Sequence, residues 1–169
     1  MKKTHQKFLN VFKYWENELN HYSEKDLEKR ENAGTWTLGQ VYQHLISSTL
    51  NFHLSQVKTC LNNAENKSAK KNFKGFMAYH LLNAFPPIRI KVPPSAFYTP
   101  AQPGSKAEIL ENFALIKKEM AAVLPLFNQN LQGKTAHPGF SFLNAQEWYR
   151  LIEMHWRHHK RQKARLDQL

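Results

Sequence analysis

Large apolar side chains recur through most of this sequence at alternating steps of four and three residues. That spacing places them on one side of an α-helix, and it differs from the period of two that marks a strand. The stripes are Phe8, Phe12, Trp15, Leu19 and Tyr22; Leu38, Val41, Leu45, Thr49 and Phe52; Ile109, Phe113, Ile116, Met120, Val123 and Phe127; and Trp148, Leu151, Ile152, His155, His159, Gln162 and Leu166. We therefore predict an all-α fold, a four-helix bundle with helices near residues 4–22, 38–62, 106–130 and 145–167.

Three of these helix starts carry a capping-box signal, in which Ser, Thr or Asn is followed three residues later by Glu or Gln. The pairs are Thr37 with Gln40, Ser105 with Glu108, and Asn144 with Glu147. In a capping box the two side chains satisfy backbone N–H groups that the first helical turn leaves unpaired. Near the other end of the third helix, Pro125 should kink or shorten the last turns, since proline has no N–H to donate.

The connection between the second and third helices is long and rich in proline. Residues 64–72 are polar and should be exposed, and residues 73–85 are compatible with a short helix. Six of the eight prolines lie in the stretch from Pro86 to Pro103, and three aromatic residues, Phe85, Phe97 and Tyr98, lie within it or directly before it. We predict that this stretch packs over the bundle and shapes a pocket or a contact between two copies of the chain, as in a homodimer. Residues 128–143 are interpreted as a loop.

Length and composition suit one globular domain over residues 1–169, because 41% of the residues are hydrophobic and no Gly/Ser linker divides the chain. No apolar run approaches the roughly 18 residues that span a bilayer, and no apolar stretch follows the basic N-terminus. We therefore expect neither a membrane partner nor a secretory signal. The single cysteine, Cys60, fits a reducing cytoplasm and is interpreted as a small buried residue rather than a nucleophile.

The net charge of +11 permits attraction to nucleic acid. However, the Lys and Arg residues are spread over residues 2–7, 67–74 and 150–165, whereas a nucleic-acid reader usually concentrates them on one face. A basic surface around an anionic substrate explains the charge equally well. We expect a small-molecule substrate and no nucleic-acid partner.

Three histidines lie within five residues on the last predicted helix. His155 and His159 are one turn apart on its buried face, so their ring nitrogens can converge on a point about 2 Å from each, the usual zinc–nitrogen distance. Such a pair also fits hydrogen-bonded core histidines, and Trp156 stands where zinc proteases carry glutamate. His158 should face outward. His44, at the edge of the second stripe, is either a third ligand or a satisfied core histidine. The poorer candidates are His5, His21, His53, His80 and His137.

The segments WTLGQVYQHLISS (36–48) and HPGFSFLNAQEWYRLIEMHWRHHKRQ (137–162) resemble the DinB-like superfamily of bacterial four-helix proteins. The family pattern has one His on the second helix and an H-x-x-x-H pair on the last long helix, followed by Gln. Those positions are taken here by His44, His155, His159 and Gln162. The resemblance implies a DinB-like bundle with a three-histidine site for a divalent metal ion, open to a pocket. Among the metals that three histidines suit, we expect zinc or nickel.

Family members with an assigned role include transferases and isomerases that depend on low-molecular-weight thiols, and others are described only as metal-dependent hydrolases. The resemblance therefore implies a metal-dependent S-transferase or hydrolase that acts on a small electrophilic molecule, with such a thiol as cosubstrate in the first case. The chain has no G-x-S-x-G and no phosphate-binding glycine loop. No catalytic residue is identified. The alternatives are a non-catalytic metal- or ligand-binding helical module and a basic protein associated with nucleic acid.

Overall fold

The computed structural model describes residues 1–85, 99–128 and 133–169, and within these ranges the chain is mostly helical. The helices are α1 (Lys2–His21), α2 (Leu38–Ser47), α3 (Leu54–Asn62), α4 (Phe73–Phe76), α5 (Lys106–Ala122) and α6 (Ala145–Leu166). π-helical segments at Ser48–His53 and Met77–Leu82 join α2 to α3 and extend α4. Short 3-10 turns lie at Asp26–Glu28 and Pro125–Asn128. Helical structure is therefore present in all four predicted ranges. The second range contains a π-helical segment between α2 and α3, and the third helix ends at Ala122, eight residues before the predicted end at residue 130.

The core lies between α6 and the other long helices. α6 packs against α1, α2 and α3, while α5 packs against α1 and α2. Four buried aromatic residues meet there, and the ring centroids of Phe12 and Phe113 are 4.7 Å apart, while those of Trp15 and Trp156 are 6.1 Å apart. The indole N–H of Trp15 donates to the Trp156 carbonyl at 3.0 Å, and that of Trp156 donates to Thr49 Oγ1 at 2.9 Å. Both indoles are therefore buried with their polar atom satisfied.

The π-helical segment between α2 and α3 changes which side chains enter the core. The sequence predicted that Phe52 is buried and that His53 lies off the apolar stripe. The structure reverses this, because Phe52 is 38% exposed and His53 only 5%. A π turn contains one residue more than an α turn, so it shifts the buried stripe by one position. After the shift, α3 buries Leu54, Val57, Cys60 and Leu61.

The predicted capping boxes at Thr37–Gln40 and Asn144–Glu147 are both present. The third predicted box is present only in part. Ser105 Oγ accepts from the Glu108 N–H at 3.1 Å, but the Glu108 carboxylate accepts from the Gly104 N–H at 2.7 Å instead of from Ser105. Pro125 shortens the third helix as predicted, since α5 ends at Ala122 and a 3-10 turn follows.

The interpretation of residues 128–143 as a loop is wrong over its second half. Strands β1 (Lys134–His137) and β2 (Ser141–Asn144) form an antiparallel hairpin in which Thr135 pairs with Leu143 and His137 with Ser141. The turn is closed by a side chain, because His137 Nδ1 accepts from the backbone N–H groups of Gly139 and Phe140 at 3.0 and 3.2 Å. Strands of four residues are too short to show a clear alternation in sequence.

The proline-rich connection lies mostly outside the described residues, so the predicted packing of residues 86–98, which include Phe97 and Tyr98, remains a prediction. Its last part is described and contacts the start of α2. Gln40 Nε2 donates to the Pro100 carbonyl at 2.8 Å, and Thr37 Oγ1 donates to the side-chain oxygen of Gln102. Across the described ranges, no helix combines the length and the apolar character that crossing a membrane requires.

Candidate metal centre

Two helices supply the three histidines that the sequence singled out. His44 lies on α2, two turns after the capping box that fixes its start, and His155 and His159 lie one turn apart on α6. Because α2 and α6 pack against each other, the histidines meet at their interface. All three side chains are partly exposed, so the cluster is accessible from one side.

The ring nitrogens of these residues converge. His155 Nε2 lies 3.0 Å from His44 Nε2 and 3.1 Å from His159 Nε2, and the three ligand atoms lie within 4.8 Å of one another. Two nitrogens bound to one tetrahedral zinc ion at about 2.0–2.1 Å would be separated by about 3.3 Å. The two distances from His155 Nε2 are slightly shorter than that value, so small adjustments of the rings would place His155 and each of its neighbours around one divalent ion.

The rings of His155 and His159 each have a hydrogen-bonding neighbour at Nδ1, on the side that faces away from the cluster. His159 Nδ1 lies 2.9 Å from Gln162 Oε1, which can only accept, so Nδ1 carries the hydrogen and Nε2 has a free lone pair. The Ser48 oxygen lies 3.2 Å from the Leu45 carbonyl and 3.4 Å from His155 Nδ1, a long contact in which a hydroxyl can donate or accept. When Ser48 accepts, His155 also carries its hydrogen on Nδ1 and directs the lone pair of Nε2 into the cluster. Outer partners of this kind orient metal-binding histidines.

These tautomers leave two lone pairs, on His155 Nε2 and His159 Nε2, facing each other at 3.1 Å. The repulsion is relieved by a cation between them, either a metal ion or a proton. A proton is disfavoured, because burial lowers the pKa of His159 to about 3 and that of His44 to about 4, and holds the pKa of His155 well below its ordinary value. At neutral pH the three imidazoles are therefore uncharged, which is the form that binds metal.

The cluster contains only nitrogen donors. In residues 1–85, 99–128 and 133–169, no Asp, Glu or Cys forms a group of three potential ligands with these histidines. Neutral imidazoles suit zinc, nickel, copper and iron, and they leave the charge of a divalent ion uncompensated. Three protein ligands with a remaining open position are typical of catalytic rather than structural zinc sites.

Aromatic side chains border the cluster. The Trp36 ring lies 4.8 Å from that of His44, and the Phe85 ring lies 6.0 Å from that of His155 and 5.4 Å from that of His158, measured between centroids. The sequence pointed to Phe85 as an aromatic beside the connection predicted to shape a pocket, but it did not single out Trp36, and it did not indicate which histidines these two rings contact. Trp36 precedes α2 and Phe85 follows the π-helical extension of α4, so the chain's order gives no signal that they meet.

Two further histidines depart from their predicted positions. His53 is buried, its ring centroid lies 5.3 Å from that of His155, and its Nδ1 has no hydrogen-bond partner. Burial lowers its pKa to about 3. His158 was predicted to face outward, but it is half-buried against Phe85 and its Nδ1 is enclosed without a partner. Phe85 reaches it from a distant part of the sequence, which the helix pattern could not foresee.

The remaining candidates lie outside the cluster, as predicted. His137 closes the β1–β2 turn, and His5 Nδ1 lies 2.6 Å from the Tyr149 hydroxyl. Cys60 is fully buried, and its sulfur contacts Thr135 Oγ1 and the Leu143 carbonyl at 3.5 and 3.6 Å. Burial raises the pKa of the Cys60 thiol, which keeps it protonated and unreactive.

Comparison with curated protein sequences finds no match for this chain. Comparison with protein families does find one, a family model described as the DinB superfamily, which matches residues 7–162. The match runs through α1, α2 and α5 and through the part of α6 that carries His155, His159 and Gln162. Since it covers nearly the whole sequence, the chain belongs to the DinB superfamily.

Proposed function

We propose that His44, His155 and His159 hold one divalent metal ion, zinc or nickel, and that this site is the catalytic centre of an enzyme. The observation that carries the proposal is the convergence of three ring nitrogens, with His155 Nε2 3.0 Å from His44 Nε2 and 3.1 Å from His159 Nε2, while Gln162 Oε1 lies against the far side of the His159 ring. Membership of a superfamily with metal-binding members supports the same assignment.

When bound, a divalent ion with three neutral ligands supplies Lewis-acid chemistry and strongly lowers the pKa of a coordinated water or thiol. The chain's own residues then have three tasks. The histidines present lone pairs, Gln162 and Ser48 keep the rings in the metal-binding tautomer, and Trp36 and Phe85 limit the access of water to the cluster. A drier site strengthens the electrostatic effect of the ion on its ligands.

The reaction that we propose is an S-transfer or a hydrolysis at a small electrophilic molecule. Among the described residues, Cys60 is buried elsewhere, no carboxylate joins the histidines, and the nearby Ser48 hydroxyl is hydrogen-bonded to the Leu45 carbonyl, so none of these groups is a favoured nucleophile. The nucleophile therefore comes from solution, as a low-molecular-weight thiol or as water. The net charge of +11 favours an anionic thiol or substrate by raising its concentration at the surface.

A non-catalytic metal- or ligand-binding module is the alternative that the same geometry supports. A metal-binding module would require the same ion as the enzyme and would differ from it only in the lack of turnover. Association with nucleic acid is the weaker alternative, since it uses the basic charge but not the histidine cluster. Its signature would be duplex binding that weakens steeply with salt and does not change when the histidines are replaced.

We also propose that α1, the continuous α2–α3 helix, α5 and α6 form the four-helix bundle of the superfamily, within a single domain over residues 1–169 that works in the cytoplasm. The proline-rich connection would close one side of the site or join two copies in a homodimer. Resistance of residues 86–103 to limited proteolysis would support the packed connection, and rapid cleavage throughout them would contradict it.

The metal assignment is tested by metal analysis of protein purified without an affinity tag. The wild-type chain should contain close to one equivalent of metal, and His155→Ala should contain almost none. His21→Ala is the matched control, because His21 is exposed at the end of α1 and should have no effect. Unchanged metal content and affinity in both His155→Ala and His159→Ala would refute the assignment.

The reaction is tested by following consumption of an electrophile with several bacterial thiols, with glutathione and with water alone. We expect the metal-loaded protein to accelerate at least one of these reactions and the His155→Ala variant to accelerate none. Equal rates for the two proteins across the whole panel would exclude this catalysis and leave the binding module as the function of the site.

A further inference from the structure

Helix α4 and its π-helical extension expose an apolar face to solvent. Phe73 is 77% exposed, Phe76 49%, Leu81 64% and Leu82 50%, whereas most large apolar side chains of the described residues are buried. Phe73, Phe76 and Leu81 follow the spacing of one helix face. We call these four residues, Phe73, Phe76, Leu81 and Leu82, the outer face of α4.

The exposure is not caused by a loose helix, because the inner side is firmly attached. A Cβ atom at Gly75 would lie 2.9 Å from the Phe140 carbonyl oxygen, so the helix and the hairpin are in close contact. The Tyr79 hydroxyl donates to the Glu147 carbonyl at 2.9 Å, and Arg150 Nη2 donates to the Tyr79 carbonyl at 2.9 Å. The segment therefore buries Gly75, Ala78 and Tyr79 and exposes its phenylalanine and leucine side chains.

The charge around the outer face has one sign. From residue 66 to residue 85 the sequence contains four lysines and no Asp or Glu. Lys67, Lys70 and Lys74 are exposed, and the fourth, Lys71, is paired with Glu147 of α6. Exposed aromatic and leucine side chains next to exposed lysines are typical of helices that lie on anionic membranes.

We propose that the outer face of α4 docks on an anionic lipid surface. This contact would be peripheral, and it revises the expectation of no membrane partner, which rested on the lack of a membrane-spanning segment in the sequence. The phenyl and leucine side chains enter the boundary between headgroups and acyl chains, and Lys67, Lys70 and Lys74 contact the lipid phosphates. A second copy of this chain fits less well, since a symmetric contact would bring two sets of lysines together. A lipid surface also requires no shaped groove to receive the exposed side chains. This inference is independent of the metal centre.

The test is co-sedimentation with vesicles of phosphatidylcholine alone and of phosphatidylcholine with about 30% phosphatidylserine. We expect binding to the anionic vesicles only, and weaker binding when salt is raised from about 0.1 to about 0.5 M, as the Debye length shortens. The triple variant Lys67→Gln, Lys70→Gln, Lys74→Gln should bind about 100-fold more weakly. The double variant Phe73→Ser, Leu81→Ser should lose about tenfold or more.

Matched controls change the same residue types elsewhere. Lys2, Lys3 and Lys7 are exposed on α1, and Leu110 and Leu115 are exposed on α5 at 36% and 42%. Their replacement by Gln and by Ser should leave vesicle binding close to wild type. If these control variants lose as much vesicle binding as the α4 variants, the effect is not specific to the outer face of α4 and the proposal is overturned.

Two further outcomes would also overturn it. No preference for anionic vesicles would exclude lipid docking. A dimer detected by analytical ultracentrifugation that dissociates in the Phe73→Ser, Leu81→Ser variant would assign the outer face to a second copy, and binding to polyglutamate without binding to vesicles would assign it to an acidic protein. Circular dichroism of each variant checks that the helices remain folded.

Discussion

Replacing Gln162 by Leu removes the oxygen that accepts the hydrogen bond from His159 Nδ1. The bond is 2.9 Å long and partly buried, so it fixes both the ring orientation and the tautomer of this histidine. Loss of such an outer partner typically lowers metal affinity about 10–100-fold. Because the partner is a neutral amide, we expect the lower end for Gln162→Leu, about tenfold or about 1.4 kcal/mol. Ser48→Ala should have a smaller effect, since its contact with His155 Nδ1 is 3.4 Å long.

The assay is competition for zinc between the protein and a chromogenic chelator, with urea denaturation of the metal-free proteins as a check on folding. Gln162→Glu is the matched control, because a carboxylate can accept the same hydrogen bond and should retain or increase the affinity. If Gln162→Leu and wild type bind zinc equally, the amide does not orient the histidine and the tautomer argument is wrong. If Gln162→Glu loses as much zinc affinity as Gln162→Leu, an acceptor at this position is not sufficient and the amide group itself is needed.

Two further predictions concern stability. The pKa of His53 is about 3 in the folded chain and 6.5 when unperturbed, so below pH 6.5 the unfolded chain takes up the proton first and the metal-free protein loses stability as the pH falls. When the pH falls from 7 to 5, the free energy of unfolding should decrease by about 2 kcal/mol less in His53→Leu than in wild type. Equal decreases in the two proteins would refute the prediction. Gly75→Ala should destabilise by about 1–3 kcal/mol in urea denaturation, since its Cβ would meet the Phe140 carbonyl. Gly139→Ala should change little, because its Cβ would lie 3.6 Å from His137 Cε1, an ordinary contact distance, and a destabilisation equal to that of Gly75→Ala would contradict the packing argument.

Periodicity and capping chemistry are local properties, and they predicted the long helices well. The starts of α2 and α6 follow from the side-chain pairs Thr37–Gln40 and Asn144–Glu147, which need only neighbouring residues to act. Local properties alone do not predict that His44 meets the histidines of α6. Helical spacing brings His155 and His159 to one face, but the contact with α2 depends on packing, and only the family resemblance indicated it.

The features that sequence reasoning missed depend on contacts between distant residues. Lys163 is fully buried although it is charged, because its Nζ donates to Asp167 and to Glu18 of α1. The sequence around Lys163 does not predict that Glu18 is its partner. The β1–β2 hairpin was missed for a similar reason. Its turn is closed by the His137 side chain, a contact that strand propensity does not describe.

The extra residue in the Ser48–His53 segment has a consequence for how relatives are aligned to this chain. An α-helix turns about 100° per residue, so a relative that lacks the extra residue would present a different set of side chains beyond it. An alignment that treats α2 and α3 as one uniform helix can match His44 correctly and still pair His53, Val57 and Cys60 with residues on another face. Gaps placed inside this segment, rather than in a loop, are therefore the physically correct ones.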